Sequence, residues 1–338
     1  MYDYLNNKTV LITGGTGSFG RKCTELLLKN AKLRKLIILS RDELKQHDMA
    51  RVFNSSFYDT KISYYLGDVR DSQRLHRAFH GVDYVVHAAA LKQVPAAEYN
   101  PDEVIKTNVM GAINVVNAAI DQGVKKVVAL STDKAVNPAN LYGASKLCSD
   151  KLFIAGNSYV GDAGTHFSVV RYGNVIGSRG SVIPVFLEKR EKGVLPVTDE
   201  RMTRFWLTIE NGVNFVLRCL KEMEGGEIFI PKIPSMKIAD LAKAIAPGCK
   251  IEKVGIRPGE KIDECLLTED EARYALEFED FFVIIPQRPW WKSDKWENGR
   301  KLPDGFRYAS NTNDRWLSEN ELQEMTGDLN GTYFLRQA

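Results

Sequence analysis

Short hydrophobic segments alternate with longer amphipathic segments through the first half of the chain. The hydrophobic segments are rich in Val, Ile and Leu and predict strands at residues 9–13, 35–39, 61–68, 83–90, 125–132 and 166–173. The longest helix predicted between them runs from Pro101 to Gln122, with Pro at its start and Gly123 after its end. Near-continuous apolar strands separated by helices indicate a parallel sheet that is covered on both faces, with right-handed crossovers.

The alternation ends after Tyr172. Residues 173–196 are rich in Gly and Pro, and a predicted helix (209–222), a predicted strand (227–231) and a mixed, aromatic-rich segment follow. This change predicts a large first domain and a smaller second domain. The predicted boundaries are 1–172 for the first domain, with a return of the chain at about 205–230, and 173–204 with 231–338 for the second domain.

Composition and charge exclude several classes of protein. The 338 residues are 44% hydrophobic and 26% charged, which is typical of a globular chain and not of a disordered or fibrous one. The net charge of +3 is too small for a nucleic-acid-binding surface. The apolar runs are too short to span a bilayer and the N-terminus lacks a signal pattern, so we expect a cytoplasmic protein with no membrane partner. Five scattered cysteines and five unclustered histidines predict free thiols and no metal site.

A glycine-rich turn follows the first predicted strand and precedes the first predicted helix. In T-G-G-T-G-S-F-G, Gly14, Gly17 and Gly20 are three residues apart. Glycines at this spacing let the backbone approach a pyrophosphate at the N-terminus of the helix. The sequence therefore predicts an α/β fold: a Rossmann-type, doubly wound parallel sheet that binds a dinucleotide, with a smaller C-terminal substrate-binding domain.

The residues after the second predicted strand indicate which dinucleotide binds. An acidic residue at this point usually meets a free ribose 2′-hydroxyl, whereas this chain has Ser40 and Arg41 before Asp42. A hydroxyl and a guanidinium suit a 2′-phosphate, and Lys45 follows one turn later, so we predict NADP. In the alternative interpretation Arg41 is solvated and Asp42 is a helix N-cap. Asp68, after the third strand, is predicted to meet the adenine amine or to cap the next helix.

A tyrosine and a lysine four residues apart open the helix after the fifth predicted strand. Tyr142 and Lys146 share one face of this helix, so Lys146 can lower the pKa of the phenol and hold the nicotinamide ribose. The preceding strand ends in Leu130-Ser131-Thr132. This Tyr-x-x-x-Lys pattern, with a Ser/Thr and the glycine turn, resembles the short-chain dehydrogenase/reductase superfamily, and Tyr142 would exchange a proton with a substrate hydroxyl.

Two later segments resemble the extended, nucleotide-sugar branch of that superfamily. The segment R-Y-G-N-V-I-G, residues 171–177, matches its R-x-x-N-x-x-G pattern, in which Asn174 would face the substrate. The segment R-P-G-E, residues 257–260, matches a pattern in which Arg257 would face the substrate diphosphate. A guanidinium is suited to bidentate phosphate binding.

Asp133 and Lys134 narrow the resemblance further. At this point retaining 4,6-dehydratases carry Asp-Glu, and 4-epimerases carry no such pair. Over essentially its whole length the chain is similar to the inverting UDP-N-acetylglucosamine 4,6-dehydratases of pseudaminic acid biosynthesis, with matches at 177–182, 198–206 and 231–236. The resemblance implies a UDP-N-acetylglucosamine substrate, bound NADP, a product inverted at C5, and a homo-oligomer that is hexameric by analogy.

The same resemblance implies roles for individual residues. Lys134 would be the base at C5, with a pKa lowered by desolvation or by Lys92, and Asp133 would be the protonated acid at C6. In the alternative, the two form a simple ion pair. The predicted catalytic residues are Thr132, Asp133, Lys134, Tyr142 and Lys146. The predicted cofactor contacts are Gly14, Thr16, Gly17, Ser18, Phe19, Gly20, Ser40, Arg41, Asp42, Lys45, Asp68, Val69, Ala88, Lys92, Leu130, Ser131, Tyr142 and Lys146. The predicted substrate contacts are Lys92, Asn174, Ser178, Val182, Thr198, Met202, Arg257 and Glu260.

Two other functions remain open from the sequence. A 4-epimerase needs Tyr142 and Lys146 but not the Asp–Lys pair. A non-catalytic, NADP-sensing regulator on the same fold would tend to lack the Tyr–Lys pair, which this chain keeps. The fold alone does not decide between these functions.

Overall fold

The computed structural model describes residues 1–54, 58–161, 164–178, 182–287, 291 and 293–327. Strands and helices alternate through the first half. The strands are β1 Thr9–Thr13, β2 Lys35–Ser40, β3 Lys61–Leu66, β4 Tyr84–His87, β5 Lys126–Leu130 and β6 His166–Val170. The helices are α1 Ser18–Asn30, α2 Glu43–Val52, α3 Ser72–Ala78, α4 Val94–Tyr99, α5 Pro101–Val104, α6 Gly111–Asp121 and α7 Leu141–Gly156.

The first six strands lie side by side and all are parallel, in the order β3-β2-β1-β4-β5-β6. The predicted doubly wound parallel sheet is therefore confirmed. All five residues of β1 are buried, as expected for a central strand that is covered on both faces. The strand order reverses between β1 and β4, and a ligand cleft is expected outside the carboxyl ends of the strands at such a point.

The second half contributes shorter elements. The strands are β7 Asn174–Val175, β8 Val194–Val197, β9 Thr203–Leu207, β10 Ile228–Pro231, β11 Ser235–Lys237, β12 Lys250–Lys253, β13 Cys265–Leu267, β14 Ala275–Glu277, β15 Phe281–Ile284, β16 Arg300–Lys301 and β17 Tyr308–Ala309. The helices are α8 Val182–Lys189, α9 Ile209–Glu222, α10 Ile238–Ile245, α11 Glu269–Ala272 and α12 Glu319–Gly327. None of the helices among the described residues is both long and apolar enough to cross a membrane.

The large sheet continues into this second half. Strand β10 pairs in parallel with β6, and β15, β14 and β16 extend the sheet by antiparallel pairing, so that ten strands of the described chain form one sheet. The predicted return of the chain at 205–230 corresponds to α9 and β10. The domain boundaries stay a prediction, in which 231–338 includes strands that pair with the large sheet and residues 328–338, which lie outside the described ranges.

A smaller hydrophobic core lies apart from the main one. It is built from the end of β9, from α8 and from α10, and Phe186, Trp206 and Leu241 are each almost completely buried in it. Strands β11, β9 and β7 form a three-stranded sheet beside this core. Of these elements, β7 carries Asn174 and Val175, which line the cleft described below.

The long helix predicted from Pro101 to Gln122 has a π-helical turn in its middle. Residues Ile105–Met110 form this turn between α5 and α6. Asn108 in the turn accepts a hydrogen bond from the Leu91 backbone N–H (2.8 Å) and donates to the Leu91 carbonyl (2.9 Å) and to Ser145 Oγ (3.0 Å). The wider turn places the amide of Asn108 between two other elements, which is a physical reason for the departure from a regular helix.

Candidate functional site

A cleft of about 720 Å³ lies at the carboxyl ends of the parallel strands. It is lined by residues from both halves of the chain, and every predicted cofactor contact is among them. Of the predicted substrate contacts, those that line it are Lys92, Asn174, Ser178, Arg257 and Glu260. No group of three or more His, Cys, Asp or Glu side chains in the described part of the chain is arranged to hold a metal ion.

Three predicted substrate contacts lie elsewhere. Met202 is 2% exposed and packs in the smaller core, because its apolar side chain joins Trp206 there. Val182 begins α8, and Thr198 follows β8; neither lines the cleft. The structure therefore provides no support for substrate contacts at these three positions.

The β1–α1 turn forms a backbone cradle at one end of the cleft. Gly14 has φ +63°, and a Cβ there would lie 2.8 Å from the backbone of Ala89. A Cβ on Gly20 would lie 2.3 Å from the Gly15 carbonyl oxygen, and Gly17 is the N-cap of α1. The first N–H groups of α1 have no partners within the helix, and the absence of side chains lets a ligand approach them. The turn fits the pyrophosphate of a dinucleotide.

The residues after β2 form a small charged group. Asp42 caps α2 by accepting a hydrogen bond from the Lys45 backbone N–H (2.9 Å), as the capping alternative predicts, and Lys45 Nζ lies 2.5 Å from its Oδ2. Arg41 Nη1 lies 3.6 Å from Asp68 Oδ2. Burial raises the pKa of Asp68, but hydrogen bonds from Arg70 and the charge of Arg41 outweigh it and lower that pKa overall. Half of the Arg41 side chain is exposed at the cleft.

The start of α7 packs directly on the segment before it. The residues Asp133–Ala135 form a short 3-10 helix, and a Cβ on Gly143 would lie 2.1 Å from the Lys134 carbonyl oxygen. Asn140 caps α7 through the Gly143 backbone N–H (2.8 Å) and donates to the Gly259 carbonyl (2.8 Å). Sequence reasoning missed both Gly143 and Asn140, which bring Tyr142, Lys134 and the Arg257 turn together.

The electrostatics of Tyr142 differ from the prediction. Burial raises its pKa to about 12, while the charge of Lys134 and a hydrogen bond with Thr132 act in the opposite direction. The sequence predicts that Lys146 lowers the phenol pKa; in the structure Lys134 has this effect, and the pKa of Tyr142 is raised overall. Lys146 is 4% exposed, and burial lowers its own pKa.

Lys134 and Asp133 form an ion pair. Lys134 Nζ lies 3.0 Å from Asp133 Oδ1, which also accepts a hydrogen bond from Thr132 Oγ1 (2.9 Å). Burial lowers the pKa of Lys134, but the charges of Asp133 and Glu264 outweigh it and raise that pKa above its ordinary value. The predicted lowering is therefore wrong, because two carboxylates lie beside this amine.

Asp133 does not line the cleft. Its side chain is fully buried, whereas Thr132 and Lys134 both line the cleft beside it. Lys92 also lines the cleft, and desolvation together with the charge of Lys134 lowers its pKa. Of the two predicted amines, Lys92 is thus the one whose pKa is shifted in the direction a base requires.

Arg171 of the R-x-x-N-x-x-G segment has a different environment from Asn174. Arg171 is completely buried and bonds to Asp150 Oδ2 through Nε (3.1 Å) and to Glu271 Oε1 through Nη1 (2.8 Å). Asp150 lies on α7 and also accepts a hydrogen bond from Ser131 Oγ (2.9 Å). Arg171 thereby connects the helix of Tyr142 with α11, while Asn174 lines the cleft.

Comparison with known proteins agrees with this architecture. Residues 10–286 match the model of a family described as polysaccharide biosynthesis protein. An inverting UDP-N-acetylglucosamine 4,6-dehydratase of Campylobacter jejuni is 53% identical over 96% of this chain and 99% of its own length. A UDP-glucose 4-epimerase of Rickettsia conorii is 44% identical over 82% of this chain and 83% of its own. The solved structure of Pen from Bacillus thuringiensis has a TM-score of 0.87 at 36% identity, covering 96% of this chain and 98% of that one. The chain therefore belongs to the polysaccharide biosynthesis protein family, within the extended short-chain dehydrogenases/reductases.

Proposed function

We propose that the chain is an inverting UDP-N-acetylglucosamine 4,6-dehydratase that uses NADP. The observation that carries the proposal is the pairing of an amine with a carboxylate, Lys134 with Asp133, beside Tyr142 at the cleft. The 53% identical relative of that name supports it. The enzyme would be a hydro-lyase that forms UDP-2-acetamido-2,6-dideoxy-β-L-arabino-hex-4-ulose. This reaction would be the first step of pseudaminic acid biosynthesis.

Two parts of the cleft support the cofactor proposal: the β1–α1 turn and the residues that follow β2. The glycine turn of β1–α1 would hold the pyrophosphate on the N-terminus of α1. Ser40, Arg41 and Lys45 line the cleft where a 2′-phosphate would lie, and their hydroxyl and cationic groups favour NADP over NAD. Asp68 would face the adenine amine. NADP, when bound, supplies a reversible hydride acceptor for the sugar C4.

The substrate proposal is supported by the second half of the chain. Arg257 lines the cleft with two thirds of its side chain exposed, and Glu260 holds the turn through the Arg257 backbone N–H (3.2 Å). A guanidinium in this position suits the diphosphate of a UDP-sugar. Asn174 and Ser178 line the cleft and offer hydrogen bonds to the sugar.

Tyr142 is proposed to take the proton of the C4 hydroxyl during oxidation. Its raised pKa means that the phenol is the resting form at neutral pH. The positive charge of Lys134 and the Thr132 hydroxyl favour loss of that proton when the reaction demands it. Lys146, one helical turn further on, would hold the nicotinamide ribose with its amine.

Asp133 and Lys134 are proposed to move the protons of the elimination. Transfer of one proton from Lys134 Nζ to Asp133 Oδ1, across 3.0 Å, converts the ion pair into a neutral amine and a carboxylic acid. The amine then takes the C5 proton, and the acid's proton reaches the leaving C6 hydroxyl through Thr132, because Asp133 is buried and Thr132 lines the cleft. Water leaves and a C5=C6 double bond forms. Return of the hydride from bound NADPH to C6, and addition of a proton from solvent to the opposite face of C5, would give the inverted product.

The proposal is tested by incubating the protein and NADP with UDP-N-acetylglucosamine in deuterium oxide, without added reductant. The expected product has lost one water, carries deuterium at C5 and shows the L-arabino configuration by NMR. A dehydrated product with retained configuration would refute the inversion, and no loss of water would refute the dehydratase.

A 4-epimerase is the second candidate function, because relatives named UDP-glucose 4-epimerase are 44% identical to this chain. Tyr142 and Lys146 suffice for epimerisation, since that reaction removes and returns one hydride at C4. Mass spectrometry of the same incubation separates the two functions: an epimerase leaves the mass of the sugar nucleotide unchanged.

A further inference from the structure

A carboxylate from the second half of the chain lies beside the reactive amine. Glu264, just before β13, is 2% exposed, and its Oε1 lies 3.5 Å from Lys134 Nζ. Asp133 Oδ1 lies 3.0 Å from the same nitrogen. The amine of Lys134 is therefore held between two carboxylates, one from each half of the chain.

The position of Glu264 is fixed by its backbone. Its N–H donates to Ser310 Oγ (2.9 Å), and its carbonyl accepts from the Ser310 N–H (2.8 Å). Strand β13 pairs with β17, which ends one residue before Ser310. The carboxylate of Glu264 is therefore presented towards Lys134 by a paired segment and not by a free loop.

Two other cations approach Glu264, but each is engaged elsewhere. Lys261 Nζ lies 3.5 Å from Glu264 Oε2 and donates to the Val136 carbonyl (2.7 Å). Arg204 Nε lies 3.9 Å from Oε1, while its terminal nitrogens donate to backbone carbonyls, including that of Lys261 (2.8 Å). Among the residues that the structure describes, none forms a hydrogen bond with Oε2. A buried carboxylate with an unpaired oxygen is stabilised most by a neighbouring cation that keeps its charge.

We infer that Glu264 is a positioning residue, which holds Lys134 in its ammonium form at the edge of the cleft, beside Asp133. The groups that act on Lys134 from the neighbouring elements are Asp133, Tyr142, Arg204, Lys92 and Glu264 itself. The role of Glu264 in turnover rests on the proposed function. Its effect on the amine does not, because it follows from the contacts alone.

The inference is tested by competitive acetylation of the lysines in the full-length protein, followed by peptide mass spectrometry across a pH series. In the wild-type protein, Lys134 should react at higher pH than Lys92. In Glu264→Gln, the loss of the negative charge should move the Lys134 curve to lower pH by about one to three pH units. Glu277→Gln is the matched control, since Glu277 pairs with Lys232 (2.8 Å) and does not line the cleft; it should leave the Lys134 curve unchanged.

The labelling needs no sugar, so it is independent of whether the wild-type protein dehydrates UDP-N-acetylglucosamine. If it does, the pH profile of deuterium uptake at C5 should shift in Glu264→Gln in the same direction, and Glu264→Asp should restore part of the wild-type profile. An identical Lys134 curve in Glu264→Gln and wild type overturns the inference. Should the variant fail to fold, wild-type Lys134 reacting at a pH as low as Lys92 overturns it equally.

Discussion

Two amines at the cleft, Lys134 and Lys92, are shifted in opposite directions by their surroundings. Lys134 lies between carboxylates that favour its charged form, whereas Lys92 is partly desolvated and near another cation, so it loses its proton more readily. The proposed base, Lys134, must therefore pass its proton to Asp133 before it can act. This requirement makes the identity of the base at C5 an experimental question with a clear alternative.

Replacing each amine separately identifies the base. In Lys134→Ala we expect deuterium uptake at C5 to fall by about 100- to 10,000-fold, because general base catalysis contributes on that order. Lys106→Ala, at an exposed lysine in the π-helical turn, is the control and should behave as wild type. If uptake persists in Lys134→Ala and disappears in Lys92→Ala, the base is Lys92 and the proposed mechanism needs to be reassigned.

Arg41 provides a separate test of cofactor choice. Loss of a charge-assisted hydrogen bond to a 2′-phosphate should weaken NADP binding about ten- to hundredfold in Arg41→Ala, and NAD binding should hardly change. Calorimetric titration with both dinucleotides measures this difference. Arg51→Ala, at an exposed arginine of α2 that does not line the cleft, is the control. Equal weakening for both dinucleotides would contradict the 2′-phosphate contact.

The contact between α7 and the 3-10 turn of Asp133–Ala135 sets the relation of Tyr142 to Lys134. Gly143 makes the contact possible, since its Cα faces the Lys134 carbonyl with no room for a methyl group. A capping residue, Asn140, then links the same helix start to the Gly259 turn. The relative position of Tyr142 and Lys134, which are proposed to react, thus depends on how closely these two elements approach each other.

Gly143→Ala should separate these two elements. We expect a loss of about 1–3 kcal/mol in the free energy of unfolding from overpacking, and a decrease in kcat of about 100-fold from misplacement of Tyr142. Gly248→Ala is the matched control, because a Cβ there meets no heavy atom within 4 Å. Steady-state kinetics and urea unfolding measure both effects. Wild-type kcat in Gly143→Ala would show that the close approach does not position Tyr142.

The sequence reveals those features that depend on neighbours along the chain. The parallel strands and the Tyr142–Lys146 pair are of this kind, because periodicity and i,i+4 spacing are local. Glu264 has no such pattern around it, and it joins Lys134 only when β13 pairs with β17. The π-helical turn depends on bonds from Asn108 to Leu91 and Ser145, which helix propensity does not encode. Met202 lies in a matching motif, yet its side chain packs in a core.

Buried ion pairs of Arg171 also connect the two halves of the molecule. Arg171 follows β6 and contacts Asp150 on α7 and Glu271 on α11 without any exposure to solvent. Its Nη2 has no hydrogen-bond partner within the described part of the chain, so the guanidinium depends on these two carboxylates. Beside it, the large sheet takes strands from both halves of the chain.

Removing Arg171 should therefore destabilise the whole molecule. In Arg171→Ala two carboxylates lose their buried partner, and we expect the free energy of unfolding to fall by about 3–5 kcal/mol. Lys106→Gln, which breaks exposed pairs with Asp102 and Glu103, should change it by less than about 1 kcal/mol. Guanidinium denaturation, monitored by circular dichroism, measures the free energy of unfolding of both variants. A similar small change in both variants would show that Arg171 carries little of the stability.

The strand order has a consequence for synthesis on the ribosome. Strands β1–β6 are contiguous in the sheet and all precede Tyr172, so every residue proposed to contact the dinucleotide is translated long before Glu264. The strands that form the cleft are therefore synthesised before the carboxylate that favours the charged form of Lys134. A nascent chain that had folded β1–β6 would therefore present the glycine turn before the carboxylate of Glu264 could reach Lys134.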